Sequence, residues 1–220
     1  LNAMNIDKRG ISEIQFQTKA DFTRTRGGDI LGKIDIADFI ARNDQGRHDI
    51  GNINLTSHSN NALFRARLNS RFADISYTGS ASISQFIKDL RDITLKTELP
   101  ALFEDASYDW KENNYDVSLK CHNSMSLLDF AMPGLYIADS TAFNVSIAKN
   151  GSFKSRLKSS RIAYKEQYLK GLDAMFDNVD SSIHGNLTCN EIRVAGLSLE
   201  DNSFRFLADD NHLGAGFRYE

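Results

Sequence analysis

The chain has 220 residues, of which 41% are hydrophobic, so it can bury a sizeable core as one large all-β domain or as two small domains. Basic and acidic residues are interleaved and the net charge is -3, which argues against electrostatic binding to nucleic acid or to an anionic membrane surface. No segment reaches the roughly 20 apolar residues that a helix needs to cross a bilayer, and the first residues lack a signal-peptide pattern.

The first four residues, 1–4, end in a methionine and resemble a vector-derived remnant before a chosen start. We therefore expect residues 5–220 to form a single β-rich domain that is a fragment of a longer repetitive protein. Alternating apolar residues then predict two or three strands, with Ile14 and Phe16, a turn at Gly27-Gly28, and Ile34. The polar stretch 43–48 is predicted to be a loop.

Residues 52–99 combine three signals. Ile53 and Leu55 share one side of an alternating strand, and a second extended run follows over residues 62–77. The spacing then becomes helical and predicts an amphipathic helix at about 83–99. Ser82 and Gln85 stand three residues apart at its start, which is the arrangement of a capping box.

Beyond Pro100 the alternation is regular. Tyr115, Val117 and Leu119 lie on one face of a predicted strand, which a turn at 112–114 would pair with a strand containing Tyr108 and Trp110. A short apolar piece at about 125–132 precedes a Pro-Gly pair and predicts one or two helical turns.

The second half of the chain repeats the strand pattern. Phe143, Val145 and Ile147 alternate before an Asn-Gly pair at 150–151, which predicts a tight hairpin returning through 153–157. A further strand is predicted from 162 to about 168, and later strands carry Ile183 with Leu187 and, in the last run, Leu213 with Phe217. Recurrence about every ten residues is typical of antiparallel sandwiches, barrels or open elongated sheets.

Candidate chemistry is sparse. Cys121 and Cys189 lack a CxxC spacing and are in phase with apolar neighbours, so we expect two buried free thiols, a single pairing between them being the alternative in an oxidising compartment. The five histidines are scattered, and His122 and His184 fall on polar strand faces. The cluster Asp209–His212 lacks the order of a calcium loop and predicts a polar hairpin turn. We expect no metal, no cofactor and no enzymatic activity.

The strands leave one apolar face with few helices to cover it. Apolar surface in water costs roughly 25 cal/mol per Å², so a second sheet, the helix, a partner or lipid must cover that face. An apolar groove could hold acyl tails, whereas the same residues could equally form the core of a closed sandwich. The predicted fold is mainly β: an elongated antiparallel sheet curled into a groove or a partly closed sandwich.

Several short motifs resemble those of the TamB branch of the AsmA-like envelope proteins, in its Bacteroidetes form. They begin at residues 68–74, Leu-Asn-Ser-Arg-Phe-Ala-Asp, followed by Gly79, the helix and Pro100. Further repeat-like motifs are Leu-Leu-Asp-Phe at 127–130, Pro-Gly-Leu at 133–135 and Ala-Asp-Ser at 138–140. The likeness covers most of residues 30–220 as a style of repeat.

The resemblance implies a periplasmic, elongated, β-taco-like bridge, anchored in the inner membrane in its full-length form. Such proteins support phospholipid movement to the outer membrane or the assembly of outer-membrane proteins, so phospholipid acyl chains and outer-membrane assembly components are the implied partners. No catalytic residue comes with the family. The implied wall of the lipid groove consists of Ile53, Leu55, Tyr115, Val117, Leu119, Phe143, Val145, Ile147, Ile183, Leu187, Leu213 and Phe217.

One alternative from another functional class stays open. An extracellular β-sandwich could bind glycan or protein through its loops, although that function predicts aromatic residues in turns that are polar and small here. Edge strands of a partial sheet also present unpaired backbone groups, so we expect concentration-dependent self-association.

Overall fold

The computed structural model describes residues 13–25, 30–60, 63–93, 111–178 and 182–219. Several predictions lie outside these residues: the remnant at 1–4, the turn at 27–28, the second half of the helix at 94–99, and the strand at 108–110. The predicted pairing of that strand with Tyr115–Cys121 is wrong, because Tyr115–Cys121 pairs with Ala73–Gly79 on one side and with Ala142–Ile147 on the other. The described strands and helices are β1 Glu13–Arg24, β2 Ile30–Asn43, β3 Gly46–Asn60, β4 Leu63–Ser70, β5 Ala73–Gly79, α1 Ile83–Arg91, β6 Tyr115–Cys121, α2 Met125–Ala131, β7 Leu135–Ile137, β8 Ala142–Ile147, β9 Phe153–Tyr164, β10 Gln167–Asp177, β11 Ile183–Val194, β12 Leu197–Asp209 and β13 His212–Arg218.

All thirteen strands belong to one antiparallel sheet that does not close into a barrel. Twelve of them follow one another in chain order from β1 to β13, and each pairs with its neighbour. The exception is β7, which pairs with the last residues of β9, whereas β8 pairs with the first residues of the same strand. The predicted fold class, a large antiparallel sheet with little helix, is confirmed.

Three predicted boundaries are wrong: one run divides into two strands, two runs join into one strand, and one loop is shorter than the pattern suggested. The run at 62–77 is two strands, and the Ser70 hydroxyl closes their turn by hydrogen bonds with the backbone of Ala73. The strands at 153–157 and 162–168 are instead one strand, β9, which continues to Tyr164 before β10 begins. The polar loop at 43–48 shrinks to a turn in which Asn43 accepts a hydrogen bond from the backbone of Gln45.

Helix α1 begins at the predicted N-cap. The backbone N–H of Gln85 donates to the Ser82 hydroxyl at 3.1 Å, which satisfies one of the free amides of the first turn. The second half of a capping box is absent from this pair, because the Gln85 side chain donates forward to Asp89 at 2.6 Å. The predicted capping box is therefore only half correct.

The best-buried part of the protein lies where α1 meets the sheet. The Phe86 ring of α1 packs against the rings of Tyr77, at 5.9 Å between centroids, and Tyr115, at 5.3 Å. Tyr115 is fully buried, and its hydroxyl donates to the buried carboxylate of Asp89 at 2.6 Å. Burial, together with this hydrogen bond, raises the pKa of Tyr115 well above its ordinary value, so the hydroxyl keeps its proton.

The predicted short helix at 125–132 is confirmed as α2. It follows β6 and lies beside the first half of β3, where the ring of Phe130 contacts the buried ring of His48 at 5.9 Å between centroids. The predicted hairpin at 150–151 is also confirmed, since Gly151 donates its backbone N–H to Ala148 between β8 and β9.

Candidate functional site

One face of the sheet carries a continuous apolar row that crosses every strand of the main path. Residues directly opposite each other in an antiparallel pair point to the same face, so the pairing register defines the row. We call this set the central apolar row; its members, from β1 to β13, are Ala20, Ile34, Leu55, Leu68, Ile75, Leu119, Phe143, Leu157, Ala174, Leu187, Phe204 and Phe217. No polar side chain interrupts it.

The neighbouring row on the same face is uncharged throughout. It consists of Phe22, Gly32, Ser57, Ala66, Tyr77, Val117, Val145, Ser155, Phe176, Gly185, Phe206 and Ala215. Gly185 lies between two of its phenylalanines, and a Cβ there would come within 2.8 Å of the rings of Phe176 and Phe206. The two rings therefore approach each other across β11 only because that position has no side chain.

The central apolar row is only partly shielded from water. Among its twelve members Ala174 alone is buried, while Ala20, Phe204 and Phe217 at or near the two edge strands are exposed and the other eight are half-buried. By contrast, Tyr115 and Ile147, which belong to the same core cluster as Phe86 of α1, are 0% and 2% exposed. The face thus changes from closed core beneath α1 to partly open surface along the central row.

The opposite face is polar. Its corresponding row carries charges of both signs, among them Asp35, Asp74, Lys120 and Lys158, with a single apolar member at position 142. His122 and His184 lie on this face, as predicted, and each faces a carboxylate: Nε2 of His122 is 2.7 Å from Asp74. The sheet is therefore two-sided, with one apolar and one polar face.

Asp173 carries the strongest ion-pair arrangement of the polar face. Arg156 donates two hydrogen bonds to its carboxylate, at 2.9 and 2.6 Å, and Lys158 lies 3.2 Å away. The Arg156 hydrogen bonds, followed by that of Lys158, lower the pKa of Asp173 from 3.8 to about 2. The ionised carboxylate is thus favoured by folding.

The pH dependence of Asp173 gives a prediction. Because its pKa is lower in the folded chain, its contribution is complete above pH 4 and is lost as the pH falls from about 4 to 2. We expect D173N to unfold more easily than the parent by roughly 1 kcal/mol at pH 7, the upper end for exposed pairs, and the gap to close near pH 2. Urea unfolding at both pH values measures this, with D116N as the control for lost negative charge; a gap that stays constant with pH would contradict it.

Two cavities lie on the polar face, away from the central apolar row. One of about 520 Å³ lies on the polar face between β10 and β13, where Met175, His184, Asn186 and Arg205 are among its lining residues. Another of about 500 Å³ lies beside Asp116, Asn144 and Arg156. Surface shape alone therefore does not select the apolar face, and its candidacy rests on its chemistry and partial exposure.

The structure brings all twelve predicted wall residues to one face of the sheet. Those half-buried are Ile53, Leu55, Val117, Leu119, Phe143 and Leu187; those buried are Tyr115, Val145, Ile147 and Ile183; those exposed are Leu213 and Phe217. The buried four belong to the same core cluster as Phe86 of α1, so a ligand would reach the half-buried and exposed ones first. Contact of these residues with lipid remains a prediction.

Seven members of the central apolar row were missing from the predicted wall. They are Ala20, Ile34, Leu68, Ile75, Leu157, Ala174 and Phe204. Leu68 and Ile75 were concealed by the wrong reading of 62–77 as one strand, because their alternation restarts across the β4–β5 turn. The turn itself was the signal that could have found them. Leu68 precedes it and Ile75 follows it at the same distance, so a hairpin there places the two side chains opposite each other.

The two cysteines are buried and free, as predicted. Burial raises the pKa of the Cys121 thiol, which disfavours the reactive thiolate. The Asp209–His212 cluster forms the predicted turn between β12 and β13. Within the described ranges, no group of three or more His, Cys, Asp or Glu side chains is placed to hold a metal ion.

None of the helices in the described part of the chain is long and apolar enough to span a membrane. Comparison of the chain with protein-family models, with curated proteins and with solved structures gives no match in any of the three.

Proposed function

We propose that the apolar face is a non-catalytic surface for phospholipid acyl chains. The observation that supports it most directly is the unbroken central apolar row, whose members are mostly half-buried and not shielded like the core under α1. In the setting that the resemblance to TamB and AsmA-like proteins implies, the chain would be a periplasmic segment of an inner-membrane-anchored bridge. It would support phospholipid transport to the outer membrane or protein assembly there.

The size of the row suits acyl chains. Neighbouring strands lie about 4.8 Å apart, so a row that crosses twelve strands runs for roughly 50 Å, longer than the hydrocarbon core of a bilayer, which is about 30 Å thick. Each methylene that such a surface buries completely contributes about 0.8 kcal/mol, and one that stays partly in water contributes proportionately less. An acyl chain can therefore bind at many equivalent positions along the row.

The two faces differ in charge, which suits the apolar face to acyl chains and the polar face to water. The central apolar row and its neighbour carry no ionisable side chain except the phenol of Tyr77, whereas ion pairs such as Arg156–Asp173 lie on the opposite face. Binding of an acyl chain therefore leaves no buried charge without a partner. No reactive group is needed either, because apolar contact alone supplies the affinity.

Site-specific photocrosslinking tests this proposal. Benzoylphenylalanine would replace Phe143 or Leu187 in the central apolar row, and, as matched controls, Asn144 or Thr188, which follow them along the same strands on the opposite face. The purified variants would be incubated with vesicles of radiolabelled phosphatidylethanolamine and irradiated. We expect at least tenfold more labelled protein for the two row positions than for the two controls.

Mass spectrometry of organic extracts from the purified parent protein complements the crosslinking. Stoichiometric phospholipid, together with crosslinks confined to the row, would support the proposal. Equal labelling at Phe143 and Asn144, or no labelling at any position with no lipid in the extract, would overturn it. The recognition module that binds glycan or protein through its loops would then be the better explanation.

A further inference from the structure

Among the described strands, β1 forms one edge of the sheet. Eleven of its twelve residues pair with β2 on one side, since the register skips Phe16, and in the described ranges no strand pairs with its other side. Every residue of β1 except Ile14 is exposed, including Phe22 at 49%. An exposed edge of this length presents a row of unpaired N–H and C=O groups that can pair with another strand.

The charges of β1 and β2 form an alternating pattern on the polar face. Lys19 lies opposite Asp35 and Asp21 lies opposite Lys33, while Lys33 and Asp35 form an ion pair at 2.8 Å. Lys19 and Asp21 are also the only charged residues between positions 17 and 23 of the edge. A strand added to β1 must therefore place complementary charges against these two.

We propose that β1 pairs with β1 of a second copy of this chain, antiparallel about a twofold axis at Ala20. In that register Ala20 lies opposite Ala20 of the second copy, and Lys19 of each copy lies opposite Asp21 of the other. The polar face gains two reciprocal ion pairs that extend the existing pattern. The apolar face gains a second central row in line with the first, because Ala20 is its terminal member.

The other edge fits less well. A β1–β13 contact that keeps the central rows in line would place Ala20 opposite Phe217, and therefore Lys19 opposite Arg218, and like charges directly opposite each other are destabilising. A β13–β13 contact in line with the row would centre on Phe217, next to the end of that strand, so few residues could pair. Only β1–β1 combines aligned rows, complementary charges and a long ladder, and its symmetry is that of the commonest homodimers.

Charge exchange between two variants tests the pairing. In a K19E dimer the introduced glutamate of each copy would face Asp21 of the other, and in a D21K dimer the introduced lysine would face Lys19. Each variant alone should therefore dimerise at least tenfold more weakly than the parent. In an equimolar mixture, a K19E copy can pair with a D21K copy. The K19E copy is negative at both positions and the D21K copy is positive at both, so each facing pair in the mixed dimer joins opposite charges. We expect the dissociation constant of the mixture to return to the parent value, and sedimentation velocity over a concentration series measures all three samples.

Disulfide trapping gives a second measurement that does not depend on the charges. A20C should form a covalent dimer on mild oxidation, whereas T18C should not, because Thr18 lies opposite Phe22 of the second copy; T18C mixed with F22C should crosslink. Both native cysteines are buried, and the oxidised parent controls for them. A monomeric parent at high concentration, a mixture of K19E and D21K no tighter than either alone, or A20C crosslinking no better than T18C would each overturn the proposal.

Discussion

Replacement of Tyr115 by alanine is expected to lower the free energy of unfolding by about 3–5 kcal/mol, the range measured for large aromatic residues removed from cores. Tyr115 is 0% exposed, packs against Phe86 and Tyr77, and holds the carboxylate of Asp89 by a 2.6 Å hydrogen bond. Alanine would leave both a cavity beneath α1 and a buried carboxylate with one donor fewer. Urea unfolding followed by circular dichroism measures the change.

The conservative variant separates the two contributions. Tyr115→Phe keeps the ring and removes only the hydroxyl, so we expect a loss of about 1–3 kcal/mol, the cost of leaving a buried acceptor less satisfied. Asn113 and Gln85 continue to donate to Asp89 at 2.9 and 2.6 Å, which limits that loss. A phenylalanine variant as unstable as the alanine variant would mean that the hydrogen bond, and not ring packing, attaches α1 to the sheet.

Much of the sheet could be predicted from the sequence because its strands alternate cleanly. The period of two in Tyr115, Val117 and Leu119 fixes which side chains share a face, and the Asn-Gly pair at 150–151 fixes a hairpin and hence a register. The N-cap at Ser82 was likewise local information, confirmed by its hydrogen bond with Gln85. Strand pairs joined by such turns can be predicted from the local sequence alone.

The predictions failed where tertiary contacts decide. The Gln85 side chain could have closed a capping box, but the buried Asp89 needs donors more than the exposed start of the helix does. Val117 and Val145 look equivalent in sequence, and they lie directly opposite each other on one face. Yet Val145 is 3% exposed and Val117 is half-buried, because the covering of that face differs from strand to strand. Alternation in the sequence shows which side chains share a face of the sheet, but it does not show which of them other parts of the chain bury.

Because burial differs along this face, aspartate substitutions should lower the free energy of unfolding by different amounts at different positions. We expect Val145→Asp to cost about 4 kcal/mol or more, since it buries a carboxylate without a partner in the core cluster. Asn144→Asp, next along the strand on the polar face, should cost no more than about 0.5 kcal/mol. Leu119→Asp should fall between them, at about 2 kcal/mol, because a half-buried side chain loses only part of its transfer free energy.

Leu119→Asp also decides between an open apolar surface and a closed core. If water reaches the central apolar row, the variant stays folded, and a charge placed directly opposite Phe143 should reduce phospholipid crosslinking from position 143 at least tenfold. Asn144→Asp, which adds the same charge on the other face, should leave that crosslinking unchanged. If Leu119→Asp instead unfolds the chain as completely as Val145→Asp, the row is interior packing and does not bind lipid. Denaturant unfolding and crosslinking of the same three proteins therefore test the stability and the function of one face together.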